Sequence, residues 1–338
     1  LVTIYDVAKE AGCSPTTVSK AFNNYSGVNS ATHKKIMEAA DKLGYTPNTN
    51  ARALATKKTW LLGVLFSEDV NTGIAHPHFS EILQNFQVRA GEHGYDVVFV
   101  NKRLGNREAS YLEHCIYRGV DGVLLAANKM FTDEIQSVLS SDIKCVSVET
   151  NYPNTHTVIS DYRMGSLQAM EYLYFLGHRK IAHIACPLTS VAGQERYNAY
   201  KEFLKSKGLE ENSKYFVEIK EFKPEEGVSA AIQLLQQAWD DLPTAIYCGY
   251  DDIACAAMNT FRAQGFRVPE DLSLVGFDNV TISGFTTPAL TTIEQDRAAI
   301  GIKAADTLIK MIEGKAIEQP IDMRIPTKLI VRNSCARI

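Results

Sequence analysis

The first 45 residues carry their apolar side chains at helical spacing. Ile4, Val7, Ala8 and Ala11 fall at i, i+3, i+4 and i+7, which predicts one buried stripe over two turns. Thr3 and Asp6 read as a capping box at its start, and Gly12 stops it. Ser14 can cap a second helix, with Pro15 in the first turn where a missing N–H costs nothing, and Val18, Ala21 and Phe22 inward. A third runs from about Asn29 to Leu43, with Ile36, Ala39, Ala40 and Leu43 inward and Gly44 as its stop.

From Trp60 the period changes. Short apolar runs at 61–66, 97–101, 122–126, 145–148, 157–160, 180–185, 215–219, 245–248 and 274–277 alternate with stretches of helical period. Such runs, apolar on both faces, predict βαβ units and parallel sheets covered by helices. These strands are too many for one comfortable sheet, so two sheets with a cleft between them are expected, with binding at the carboxyl ends of the strands.

The chain has 338 residues, 45% apolar and 22% charged, which suits two or three globular domains and excludes wholesale disorder. No apolar run approaches the ~18 residues of a membrane span, and no signal-peptide pattern opens the sequence, so no membrane association and a cytoplasmic location are expected. Seven scattered cysteines without a Cys-x-x-Cys pair argue for a reducing compartment and against a zinc site. Charge is divided: residues 1–58 hold eight basic and four acidic residues, a net +4, against −8 for the remainder. A basic head on an acidic body nominates the head as the part that meets a polyanion.

Two helices joined by a tight glycine-containing turn and braced by a third form a helix-turn-helix. The outer face of the second helix shows Pro15, Thr16, Thr17, Ser19, Lys20 and Asn23, groups that bond base edges and phosphates. A capped three-helix bundle for protein contact is the alternative. Residues 47–58 read as a linker with helix propensity, too short to be stable alone.

The stretches TIYDVAKEAGCSPTTVSKAFNN and VNSATHKKIMEAADKLGYTPNTNARALA resemble the head of the lactose-repressor (LacI/GalR) family, and the body is similar to that family across the rest of the chain. The resemblance implies a small all-α helix-turn-helix head (1–46), a hinge helix (47–58) and an α/β periplasmic-binding-protein-like body of two doubly wound parallel-sheet lobes (59–338). The lobes would hold about 59–177 with 294–322, and about 178–293 with 323–338. It places Pro15, Thr16 and Lys20 on base edges. Thr3, Tyr5, Ser14, Thr17, Ser19, Asn23, Asn29, Thr32, Tyr45 and Asn48 would make groove or phosphate contacts. Arg52 would reach a phosphate and Leu54 would wedge between central base pairs of the minor groove. Lys20 stands where an arginine is more usual and cannot make arginine's bidentate fork to guanine.

In the body, candidates follow strand ends: Ser67, His78, Phe79, Asn128, Asp161, Ser190, Arg196, Phe222, Tyr250, Asp251 and Asp278. Taken singly, the aspartates read as helix caps or loop residues rather than ligands. Together, carboxylates, a guanidinium, amides and aromatic faces are the chemistry of a carbohydrate site. The resemblance places Arg196 and Asp278 on effector hydroxyls, and Ser190 where purine-binding members have an arginine, which points away from a purine. The expected protein is a transcriptional regulator, a repressor working as a homodimer on a pseudo-palindromic operator, controlled by a sugar or sugar phosphate, with no cofactor beyond that effector and no metal. A sugar-binding protein without a DNA role is the alternative. Catalysis is not expected: Asp251 and Asp252 are adjacent and cannot face one another, and no nucleophile elbow, phosphate loop or metal-ligand spacing is present. His183, inside an apolar strand, reads as a core histidine.

Overall fold

The computed structural model describes residues 2–22, 27–46, 58–66, 77–126, 132–315 and 321–338. It divides into two compact units, Leu1–Trp60 and Leu61–Ile338.

The first unit holds α1 (Ile4–Ala11), α2 (Pro15–Phe22) and α3 (Ser30–Leu43). Val7, Ala8, Val18, Ala21, Ile36, Ala39 and Ala40 form its core, and Ile4, Ala11, Phe22 and Leu43 pack around it, as the periodicity predicts. Gly12 and Gly44 close α1 and α3 in the left-handed conformation, at φ 66° and 63°, where a side chain would be strained. Lys42 Nζ lies 2.6 Å from Glu10 Oε1 and ties α3 to α1.

The second unit contains β1 (Leu61–Phe66), α4 (Pro77–Glu92), β2 (Asp96–Val100), a two-rung hairpin of β3 (Arg103–Leu104) and β4 (Arg107–Glu108), and α5 (Tyr111–Arg118). Then come β5 (Gly122–Ala126), α6 (Asp133–Leu139), β6 (Lys144–Val148), β7 (His156–Ser160) and α7 (Tyr162–Phe175). Next are β8 (Ile181–Ala185), α8 (Val191–Ser206), β9 (Phe216–Glu218), α9 (Pro224–Ala238), β10 (Ala245–Cys248), α10 (Asp251–Ala263) and β11 (Ser273–Val275). The chain ends with β12 (Thr292–Gln295), α11 (Arg297–Ile312), β13 (Asp322–Ile325) and β14 (Thr327–Ile330).

One lobe is a parallel six-stranded sheet in the order β13-β7-β6-β5-β1-β2, and the other a parallel four-stranded sheet in the order β11-β10-β8-β9. β12 and β14 pair antiparallel. That pairing falls between the sheets' connections and has no counterpart in the apolar runs, because its strands carry Glu294, Gln295 and Lys328 among apolar residues.

Two lobe boundaries fall elsewhere than the sequence suggests. The crossover expected near Gly177 lies about at Asp161: Tyr162, Ala169, Met170 and Leu173 of α7 are buried with Tyr200, Tyr247 and Val275 of the four-stranded lobe. The last crossover, expected near 322, comes after Ile325, since the whole of β13 pairs with β7. In both cases the decisive signal is which sheet buries the apolar face, which chain order does not carry. His183 is fully buried; its Nδ1 lies 2.9 Å from Tyr247 O and its ring stacks on Tyr247 with centroids 4.6 Å apart.

Candidate functional site

In the head, the exposed face of α2 presents Thr16 and Lys20, with Pro15, Thr17 and Ser19 half-buried beside them. Ser14 starts this helix: its Oγ accepts from Thr17 N at 3.1 Å and lies 2.8 Å from Thr17 Oγ1. Asn29 Oδ1 accepts from Thr32 N at 2.8 Å and starts α3. At α1 Thr3 and Asp6 form the expected capping box. Asp6 Oδ2 accepts both Thr3 N at 2.8 Å and Thr3 Oγ1 at 2.7 Å, so the threonine hydroxyl serves the carboxylate. These bonds, the side-chain one first, hold the exposed Asp6 carboxyl below its usual pKa. Tyr5 is 71% exposed, whereas Tyr45 packs edge-on against Phe22, ring centroids 5.6 Å apart. Asn23, Asn48, Arg52 and Leu54 lie outside the described residues.

In the second unit a cleft open to solvent is lined by His78, Phe79, Glu149, Ser190, Ala192, Arg196, Phe222, Tyr250, Asp278 and Gln295. Most of these follow strand ends. Glu149 is the residue after β6, Ser190 caps α8 after β8, Tyr250 precedes α10 after β10, and Asp278 follows β11; His78 and Phe79 start α4. The sheets therefore bring seven expected residues together: His78, Phe79, Ser190, Arg196, Phe222, Tyr250 and Asp278. Phe79 meets Phe66 edge-on at 5.2 Å, and Phe222 tilts against Tyr250 at 5.7 Å, giving an aromatic flank on each side.

Arg196 is 4% exposed. Its guanidinium carbon lies 3.8 Å from the centre of the Phe277 ring and 4.9 Å from that of Tyr162, while Nη1 donates to Gly249 O and Nη2 lies 3.5 Å from Asp278 Oδ1. Burial works against its charge, but Asp278, Cys186, Tyr247 and Tyr162 together outweigh burial and raise the arginine's pKa further. Asp278 sits at φ 112° and accepts from Gln295 Nε2. On the opposite side, Glu149 Oε2 lies 3.2 Å from His78 Nε2 and accepts from the Tyr162 hydroxyl. Burial opposes ionisation of Glu149, yet His78, Tyr162 and Arg196 together hold its pKa below the usual carboxylate value. Burial pushes the Tyr250 phenol up.

Glu149 Oε1, Arg196 Nε, Tyr250 Oη and Gln295 Oε1 are buried with no hydrogen-bond partner among the described residues. Buried polar atoms are nearly always paired, so four orphans around one cleft single it out as the candidate binding surface.

Two expected residues do not reach the cleft. Asp251 is wholly buried: Oδ1 accepts from Thr292 Oγ1 at 2.5 Å and Oδ2 from Val280 N at 2.9 Å, so it braces the loop after Asp278. Gly276 exists for it, because a Cβ there would stand 2.2 Å from Asp251 Oδ1. Burial, and then Asp278, push its pKa well above the usual value. Asp161 caps α7 through Met164 N at 2.8 Å and faces a separate groove with Arg163, Glu195 and Arg324. Ser67 and Asn128 lie outside the described residues. Sequence reasoning misses Glu149 and Gln295. The strand-end rule reaches Glu149, whereas Gln295 stands inside β12, a strand with no clear apolar signal.

Among the described residues, no group of three or more His, Cys, Asp or Glu is placed to hold a metal, and no helix is long and apolar enough to cross a membrane.

The family described as "Bacterial regulatory proteins, lacI family" matches residues 3–48, and "Periplasmic binding protein-like domain" matches residues 170–335. The chain is 32% identical to the HTH-type transcriptional repressor PurR of Pasteurella multocida (strain Pm70), over 99% of this chain and 98% of the relative. It is 30% identical to catabolite control protein A of Priestia megaterium, over 98% and 99%. Among solved structures it is similar to the lac repressor dimer bound to operator and the anti-inducer ONPF, with TM-score 0.80, 27% identity and 99% of each chain covered. It is also similar to the cellobiose complex of the transcriptional regulator CelR, with TM-score 0.72, 30% identity, and 99% and 100% covered.

Proposed function

This chain belongs to the lacI family of bacterial regulatory proteins and is a DNA-binding transcriptional repressor, and from that premise we propose that a carbohydrate bound in the cleft controls its hold on an operator. The observation that carries this reading is the set of unsatisfied buried atoms on Glu149, Arg196, Tyr250 and Gln295, flanked by Phe79 and Phe222. Carboxylate, guanidinium, amide and phenol groups match adjacent hydroxyls, and the aromatic faces match the C–H faces of a sugar ring. The solved relative in complex with cellobiose supports a sugar as the class.

The operator is read by α2 of two copies of the chain. One head offers few base contacts, while two on one duplex gain by effective concentration. Large exposed apolar side chains on the body, Val88, Ile116, Tyr117, Ile282 and Phe285, support a homodimer that covers them. Operator DNA as partner supports a cytoplasmic location. The sugar acts only through its differential affinity for two arrangements of the lobes.

The test is a thermal-shift and calorimetric screen against neutral sugars, including glucose and cellobiose, and their phosphates, with nucleobases as the contrasting class. A bound sugar raises the melting temperature and alters operator affinity in the same concentration range. Binding of a nucleobase, with no response to any sugar, would sink the carbohydrate reading.

A further inference from the structure

Arg297, the first residue of α11, does not line the cleft but holds its wall. Its side chain is 11% exposed. Nη1 donates to the backbone carbonyl of Asp278, and Nε lies 2.6 Å from Glu81 Oε2. Glu81 is one turn along α4 from His78, which begins the cleft's other side. One guanidinium therefore clamps the loop of one lobe to a helix of the other.

The loop needs clamping. Asp278 and Asn279 are consecutive non-glycine residues with positive φ, 112° and 52°, a conformation that persists only where the surroundings impose it. Asp251 fixes Val280 N, and Arg332 Nη2 lies 2.6 Å from Asn279 Oδ1. Both restraints come from the same lobe. Arg297 alone among these groups also reaches α4. The contact on the helix side is stiff: one turn beyond Arg297, Gly301 packs so close to α4 that a Cβ there would stand 2.3 Å from Ile82 O.

The groups close a circuit. From His78 it passes through Glu149 to Tyr162, whose ring lies against Arg196, then to Asp278, and through Arg297 back to α4. We propose that Arg297 is a positioning residue that ties the effector-reading loop 278–280 to α4, so that a ligand engaging Asp278 bears on the six-stranded lobe through this side chain as well as through Arg196, Tyr162 and Glu149. The functional half of this inference rests on the cleft being the effector site; the link itself does not.

Hydrogen exchange on the full chain without added sugar tests the link. Glu81→Gln, on α4, weakens the far arm of the clamp without touching the loop. It is expected to raise exchange of the Asn279 and Val280 amides by roughly tenfold, as loss of a charge-assisted bond would. Arg297→Met should do at least as much, and the double variant no more than Arg297→Met alone. Glu81→Gln with loop exchange at the wild-type rate would overturn the proposal, as would fully additive effects. Glu81 is 45% exposed, so that variant folds even if Arg297→Met does not. A sugar screen without a hit would remove the effector reading and leave this result standing.

Discussion

Arg196 Nη2 and Asp278 Oδ1 stand 3.5 Å apart with both side chains more than nine-tenths buried. At that separation they attract without forming a tight pair, and Arg196 Nε remains unbonded. Arg196→Ala would strand the Asp278 carboxylate in the interior, at about 3–5 kcal/mol of stability. Asp278→Asn keeps the Gln295 and backbone contacts within reach and should cost less. Both are expected to abolish the response to sugar while operator binding by the separate head survives. Fluorescence anisotropy of labelled operator, with and without sugar, reads this; a normal response in either variant removes that residue from the site.

Asp251 offers a sharper contrast, because sequence alone makes it look like Asp278. Its two oxygens hold Val280 N and Thr292 Oγ1. Asp251→Ala leaves both donors buried and unpaired, at about 2–4 kcal/mol, and releases the loop that carries Asp278. Sugar affinity should fall through this loosening although Asp251 touches no ligand. Urea denaturation and calorimetry together decide: a fall in affinity at unchanged stability would make Asp251 a direct ligand of the sugar.

His183 gives the stability a pH dependence. Burial holds its pKa down to about 4 against an ordinary 6.5, although its bond to Tyr247 O works the other way. The unfolded chain takes up a proton below pH 6.5 that the folded chain refuses. Stability from this group is therefore complete above that pH and is lost as pH falls toward 4, by about 3 kcal/mol in all. His183→Phe, which keeps a ring against Tyr247 and Tyr200, should lower stability at pH 7 but flatten this decline. Urea midpoints at pH 7 and pH 4.5 measure the slope; an equal slope in wild type and variant sinks the assignment.

The architecture was legible because parallel strands buried on both faces leave continuous apolar runs, and the same rule placed seven cleft residues at the strand ends. It fails where two residues share a position in chain order but differ in direction. Tyr250 and Asp251 are neighbours at the start of α10, yet one lines the cleft and the other points into the core. Asp161 follows a strand end as Asp278 does, but its carboxylate is taken by Met164 N. Gln295 and Arg297 escape the rule altogether, since they act from a short crossover strand and a helix start. Their roles depend on the lobes meeting, a relationship that no local pattern encodes.

In the head, Lys20 is exposed on the free face of α2 beside Thr16. Its ammonium can bond a guanine edge as a point donor, whereas arginine forms a two-pronged fork. Lys20→Ala should weaken specific operator binding by about 1–3 kcal/mol with thermal stability unchanged, because nothing in the core leans on it. Ser14→Ala is the useful comparison: removing the cap on Thr17 N costs about 1 kcal/mol of folding stability as well as any bond to DNA. Lys20→Arg should shift the preferred base at the position it reads toward guanine. The check is a binding series on operators varied one base pair at a time, across a range of salt. If Lys20 bonds a base, its removal flattens discrimination at one position and changes the salt dependence little. If Lys20→Ala instead weakens operator and random DNA alike and makes the salt dependence shallower, the lysine serves a phosphate and not a base.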